Sequence, residues 1–488
     1  MNILVRLQHQ LETRRAVVLI VGLLLLHTAL HVKYINLPPV GFHQWRQTQT
    51  LAVARNFYEE GMNILEPRVD SRGQYSGITG VEFPVVNYAI AAGYKLFGFH
   101  PFVERTVLLL FSFIGIVGCF FFLKELFGKQ WLGFAGAFFL TFSPLYSYYS
   151  IVVLPDEPSV ALMFVALFFL VRDSKSDSTA PSVGFLIALT LAALVKIYAF
   201  ILLVPAAFYY LYRQPIRSAR LKNTVLLGLS FLIVLGWYLY ARYLSEVHHN
   251  FDFRLESNFP YSIALIPQVL RKVFVQWLPE LYINYPAFVF FLVGCYALRR
   301  AENHGIRTLL ALYLIPFAVY FVFFLPMFDI HDYYAIPALP VLVVITTLGL
   351  QTVAGFATRK RWVPVTAIVV LAVVPLVGSI RALSRFEGAF VDPELMSIEH
   401  CLDAVVPDRK ALVIAAHDAS PSIYLYFMHR KGWHATESVS SEAFEGMIRD
   451  GARYLVSDSR SLEGREEINR HLAKISSCGR FNVFALRE

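Results

Sequence analysis

Apolar runs of near-membrane length recur at 16–35, 105–123, 131–150, 158–171, 183–199, 200–212, 223–241, 284–298, 308–326, 336–354 and 363–379, separated by short polar gaps. In hydrocarbon every backbone N–H and C=O must be paired within its own segment, so these eleven runs predict membrane helices. Several fall short of the roughly 20 residues of a full crossing, and their ends are soft. A further run over 85–98, in PVVNYAIAAGYKLFG, opens after Pro84 and carries Asn87, Tyr88 and Lys95, which suits an interfacial or re-entrant helix. Beyond residue 379 the pattern changes. Short apolar strands (ALVIAA, RYLVSD, FNVFAL) alternate with helical stretches (SPSIYLYFMHR, SEAFEGMIRDG), as in a small α/β domain. The expected division is a transmembrane domain over 1–379, with an outer loop at 36–84, and a soluble α/β domain over 380–488.

Charge decides the sides. With a cytoplasmic N-terminus and 85–98 not spanning, seventeen basic residues fall in the cytoplasmic gaps, among them Lys124, Lys129, Arg172, Arg217, Arg299, Arg300 and the run Arg359, Lys360, Arg361. Letting 85–98 span would move every later gap to the wrong face. The segments 36–84, 151–157, 242–283, 327–335 and 380–488 are then expected on the non-cytoplasmic side. No small-residue cleavage site follows the first apolar run, which reads as a retained helix.

Composition agrees. Of 488 residues 57% are hydrophobic and only 16% charged, with mean hydropathy +0.54. Excess apolar residue without excess charge means lipid. The net charge of +8 could suggest nucleic acid, but the basic residues gather in the gaps between apolar runs, so no nucleic-acid partner is expected. Cys119 and Cys295 lie in apolar runs and read as packing residues; Cys401 and Cys478 allow one disulfide if their domain lies outside the cytoplasm.

Ionisable residues at the outer ends of membrane helices are costly and usually functional. In LPDEP, Asp156 and Glu157 sit between prolines at a helix mouth. Two adjacent carboxylates there suit a divalent cation (Mg or Mn) or a proton, or simply the helix N-terminus. Glu82 precedes Pro84. Lys196 near the end of its run either faces a phosphate or snorkels. PMFDIHDYYAIP packs Asp329, His331, Asp332, Tyr333 and Tyr334 into one tip, and Arg242 lies at another helix exit. Cations to neutralise phosphate, apolar flanks for a lipid tail and carboxylates to activate an acceptor together suit an amphiphilic anionic substrate.

The order of VARNFYEEG, EFPVVNYAIAAGYKLFG, ERTVLLLFSFIGIVGCFFFLKELFG, SPLYSYYSIVVLPDEP and HDYYAIPALPVL resembles the C superfamily of membrane glycosyltransferases (GT-C), in its dolichyl-phosphate-mannose-protein mannosyltransferase and aminoarabinose transferase branch, over about residues 10–350. The resemblance implies a multi-pass protein of a bacterial inner membrane. It further implies inverting transfer of a sugar from a polyprenyl-phosphate donor to a lipid, glycan or protein acceptor on the outer face. It places Asp156 at a metal- or acceptor-binding turn, Glu82 before the interfacial helix, and the HDYY tip near the lipid phosphate. The family's usual base is a carboxylate in the first outer loop, and here HQWRQTQT has none. In its place Trp45 offers a stacking platform, Arg46 an anion contact and Gln47 a hydrogen-bonding amide; the base falls to His43, Glu82 or Asp156. A transporter or flippase would instead need polar residues near the middle of the spans, where this chain is nearly bare. A non-catalytic relative remains the reading if no residue replaces the missing carboxylate.

Overall fold

The computed structural model describes residues 3–175, 178–213, 217–250, 261–357, 362–389, 391–418 and 420–487. Residues 251–260 of the expected outer loop, and the basic gap Arg359, Lys360 and Arg361, lie outside them. Two compact units result: unit 1 takes 1–36, 105–237 and 255–387, and unit 2 takes 37–104, 238–254 and 388–488.

The eleven apolar runs are helical over most of their length, and all but the end of 223–241 lie in unit 1. Six helical segments among the described residues are long and apolar enough to cross a bilayer alone: Arg14–Tyr34, Pro101–Phe127, Leu221–Val247, His304–Phe323, Asp332–Phe356 and Val363–Glu387. The pair Leu265–Tyr282 and Tyr285–Ala297, bent by 117°, adds a seventh if taken as one broken span. The remaining runs form shorter helices, interrupted where polar residues or proline intervene: at Ser143 and Pro144, at Asp156, and at Lys196. Those breaks are tolerated because the segments are packed among other helices. Most of Asp156–Asp173 and Ala180–Val195 is buried in protein.

The run at 85–98 becomes helix Val85–Phe97, whose 13 residues rise only about 20 Å, too short to cross. It belongs to unit 2, where it packs on helix Gln44–Glu60 through Val53, Phe57, Val69 and Ala91.

The C-terminal segment folds as a five-stranded sheet, β1 (Val413–Ala416), β2 (Gly432–Ala435), β3 (Tyr454–Ser457), β4 (Leu472–Cys478) and β5 (Phe481–Leu486), in the order β2-β1-β3-β5-β4. β1 is parallel to β2 and β3, and β5 and β4 close the sheet as an antiparallel pair. Central β1 reads VIAA and is buried throughout, as a parallel strand covered on both faces requires. Leu395, Leu402, Leu425 and Met428 cover one face, and Phe444, Ile448 and Leu462 the other. Cys401 and Cys478 form a disulfide between helix Pro393–Val405 and β4. Closing a loop of 77 residues, it restricts the unfolded chain by about 4 kcal/mol in the chain-entropy account.

This sheet does not stand apart from the loop after helix Gln44–Glu60, which docks on the edge of β2. Gly432 O accepts from Arg72 N and Gly73 N at 2.9 and 2.8 Å, and Gly432 N donates to Asp70 O at 3.2 Å. Gly432 has φ +148°, and a Cβ there would lie 2.0 Å from Val413 O, so only glycine fits between β1 and the docked loop. The sequence division at residue 380 therefore differs from the observed one. Helix Trp362–Glu387 continues the last membrane run with unit 1, and the α/β sheet shares its unit with 37–104.

His429 clamps two acidic helices in unit 2, its ring nitrogens 2.6 Å from Glu59 and 2.8 Å from Glu399. Burial lowers the imidazole, but the two carboxylates outweigh it and raise it above its ordinary value. A raised histidine stabilises fully below its unfolded value of about 6.5 and loses that contribution as pH rises through the folded value. Hydrogen-exchange protection in unit 2 of the wild-type protein is expected to fall as pH rises above about 6.5, and His429→Gln to flatten that slope.

Candidate active site

The residues picked out in sequence fall into two clusters, one in each unit. In unit 1, proline-led helix Asp156–Asp173 places Asp156 and Glu157 in its first turn, where the helix dipole favours negative charge. Asp156 is 2% exposed and lies 3.6 Å from the ammonium of Lys196. Lys196 is held where helix Ala180–Val195 ends and the backbone turns extended. Glu157 diverges from its neighbour, fully buried against Tyr146.

The HDYY tip folds as a tight turn after helix Leu325–Ile330. Asp332 Oδ2 pairs with Arg385 at 2.6 Å, each side chain only 6% exposed, and Asp332 Oδ1 accepts from Tyr149 Oη at 2.5 Å. The Arg385 guanidinium also lies 4.3 Å from the Tyr148 ring. Between the two ion pairs runs an aromatic wall. Tyr198, which donates to Asp156 O at 2.9 Å, contacts Tyr320; Tyr320 stacks on Tyr334; Tyr334 meets Tyr333 and His331; and Tyr333 meets Tyr149. The structure thus joins six residues picked out in sequence in one cluster, in which Asp156, Asp332 and Tyr333 are buried and Lys196, His331 and Tyr334 partly exposed. Asp329 turns away to Lys272.

In unit 2, helix Gln44–Glu60 starts at His43, whose left-handed φ of 59° is a conformation few non-glycine residues adopt. Its carbonyl accepts from Arg46 N and Gln47 N. Arg46 pairs with Glu82 at 2.5 Å, both side chains 12% exposed, and also donates to Gln49 at 2.6 Å. HQWRQTQT has no carboxylate of its own, and Glu82, 36 residues on at the end of the same outer loop, brings one to Arg46.

Three expectations are corrected. Gln47 is buried, its amide donating to Val40 O and Phe42 O, so it pins the loop before the helix instead of meeting a ligand. Arg242 is 79% exposed and pairs along its own helix with Glu246. A metal held jointly by Asp156 and Glu157 does not fit. One carboxylate faces an ammonium and the other a tyrosine, and no three His, Cys, Asp or Glu side chains converge as ligands among the described residues. Trp45 stays half-buried at the helix start, its carbonyl accepting from Ser422 Oγ at 2.9 Å.

Arg385 and Tyr149 escaped the sequence reading. Arg385 lies with Arg381 past the end of the apolar run at 363–379, and arginines at the outer end of a span were the available signal. Buried Arg55 and Asp70 and partly buried Lys431 also escaped it, since nothing local marks them as partners.

Residues 81–239 match the model of the dolichyl-phosphate-mannose-protein mannosyltransferase family. No curated protein matches the chain in sequence. Among solved structures, ArnT from Cupriavidus metallidurans in the apo state superposes with TM-score 0.65 at 15% identity, over 96% of this chain and 97% of that one. ArnT bound to undecaprenyl phosphate gives 0.63 at 16% identity over the same shares. The Archaeoglobus fulgidus oligosaccharyltransferase, in complex with Zn and sulfate, gives 0.59 at 14% identity over 90% of this chain and 68% of that one. Taken with the order of motifs along the chain, these likenesses make the protein a multi-pass membrane protein with the fold of the GT-C glycosyltransferases, its segment 81–239 carrying the pattern of the mannosyltransferase family.

Proposed function

We propose that the chain is an integral membrane glycosyltransferase that moves a sugar from a polyprenyl-phosphate donor to an acceptor hydroxyl or amine on the non-cytoplasmic side, with inversion. The observation that carries this reading is the unit 1 cluster, where two ion pairs are joined by tyrosines at the ends of membrane helices. Aromatic faces suit a sugar ring, and a partly exposed ammonium suits a phosphate. The match to an undecaprenyl-phosphate-bound structure of the same fold agrees with a lipid donor.

In the step itself the acceptor heteroatom attacks the anomeric carbon as the bond from that carbon to the phosphate oxygen breaks. A carboxylate takes the acceptor proton, and the departing polyprenyl phosphate keeps the electron pair. Lys196, 17% exposed beside Asp156, balances the charge that grows on the phosphate. Within unit 2 the candidate base is Glu82, whose carboxylate Arg46 holds at 2.5 Å beside the start of helix Gln44–Glu60. Asp156 orients Lys196, and Asp332 with Arg385 keeps the tyrosine tip in place. The disulfide in unit 2 accords with a non-cytoplasmic sheet.

The test is transfer by purified protein from a labelled polyprenyl-phosphate sugar. Full activity in both Asp156→Asn and Glu82→Gln would remove the site assignment. Lys196→Gln is expected to raise the donor KM about 10- to 100-fold, the worth of one charged hydrogen bond. Since that change leaves Asp156 buried without its cation, the comparison is Lys196→Gln with Asp156→Asn, which keeps the pocket neutral. Unchanged donor affinity in both would count against a phosphate contact.

A further inference from the structure

Away from the cluster just described, unit 1 encloses a cavity of about 470 Å³ lined by Lys129, Trp131, Arg300, Glu302, Gln351 and Phe356, among others. Its walls come from three separate basic gaps of the sequence. Lys129 follows helix Pro101–Phe127, Arg300 follows helix Tyr285–Ala297, and Phe356 closes the helix that leads into Arg359, Lys360 and Arg361. One membrane crossing, the run 131–150, separates Lys129 from the Asp156 turn. The cavity thus belongs to the end of the helices where positive charge gathers.

We propose that this cavity holds the phosphate of an anionic glycerophospholipid. Its lining sets two cations against one carboxylate. Glu302 lies 3.6 Å from Arg300 but its side chain is 71% exposed, so solvent screens that pair and leaves the guanidinium available. The Arg300 guanidinium also lies 5.5 Å from the Phe356 ring centroid, which orients its fork without consuming its hydrogen-bond donors. The Gln351 amide adds a neutral donor for a phosphate oxygen. Trp131 and Phe356, 45% and 40% exposed, supply the amphipathic rim that sits at headgroup depth. Basic pockets between membrane helices recognise anionic headgroups in this way, while the acyl chains lie along the apolar helix faces. The site needs no part of the sugar-transfer chemistry.

The experiment measures binding of phosphatidylglycerol, phosphatidylcholine and inorganic phosphate to the purified full-length protein in neutral detergent, by native mass spectrometry and by competition. Phosphatidylglycerol is expected to bind in preference to phosphatidylcholine. At about 1 kcal/mol per basic residue, Lys129→Gln with Arg300→Gln should weaken it about thirtyfold. Glu302→Gln, which removes the one negative charge of the lining, should tighten it about fivefold, a gain that a misfolded variant cannot mimic. Equal binding of phosphatidylcholine, or no change in the double variant together with none in Glu302→Gln, overturns the proposal. Displacement of the lipid by inorganic phosphate at equal concentration overturns the lipid assignment, because the pocket would then read a soluble anion.

Discussion

Replacing Glu82 with Gln is expected to slow sugar transfer by about 10²–10⁴-fold, the usual contribution of a positioned general base. The substitution keeps the side-chain volume and leaves an amide oxygen to accept from Arg46, whose guanidinium lies 2.5 Å from the Glu82 carboxylate. Packing of the first outer loop should therefore survive, and the loss should appear in the chemical step more than in donor binding. Single-turnover transfer rates, measured with saturating donor and acceptor, make that distinction. Arg46→Lys should retain much of the activity and Arg46→Gln should lose more, since lysine keeps a cation beside the Glu82 carboxylate and glutamine does not. A Glu82→Gln enzyme at full rate would pass the role of base to Asp156 or His43.

The second large effect is on folding. Asp70→Asn is expected to destabilise unit 2 by about 3–5 kcal/mol, the cost of breaking a buried ion pair from one side. Asp70 is 1% exposed, within 2.6 Å of Arg55 and 2.5 Å of Lys431, and it accepts from Asn56 at 3.0 Å. Removing its charge takes the nearest carboxylate from both buried Arg55 and partly buried Lys431, and leaves Lys431 the more distant Glu60 at 3.8 Å. Burial by itself would raise the Asp70 carboxyl, but Lys431 and Arg55 outweigh it and hold it well below the carboxylate range. A depressed carboxyl contributes fully above its unfolded value of about 3.9, and that contribution is lost as pH falls toward the folded value. Acidification below pH 4 should therefore loosen unit 2 in the wild type, with the Asp70-dependent part of the slope absent in Asp70→Asn. The readout is hydrogen exchange in β1 and β2, because a membrane protein of two units has no single unfolding transition. Exchange there should accelerate by about 10²-fold or more at neutral pH. Unchanged protection in Asp70→Asn would show that the charge cluster does not hold the sheet to the loop.

Much of this protein was determined by sequence alone, for reasons of solvent. Hydrocarbon accepts helices and little else, so each apolar run had to become one. The short polar-marked run ahead of a full-length span became a helix of only 13 residues. The strands ALVIAA, RYLVSD and FNVFAL and the helices within SPSIYLYFMHR and SEAFEGMIRDG were likewise legible, since apolar clusters bounded by turns report their own period. Strands β2 and β4, reading GWHA and LAKISSC, were not legible, because they are half polar and owe their conformation to the neighbours they pair with.

Candidate residues at helix mouths were visible because ionisable groups are expensive there. Their partners were not. Asp156 sits 40 residues from Lys196, Arg46 36 from Glu82, Asp332 53 from Arg385, and Asp70 361 from Lys431. With 43 basic and 35 acidic side chains in the chain, sequence offers too many possible pairs. Only tertiary packing removes water from a chosen few, and removing water is what turns a nearby opposite charge from a weak preference into a requirement.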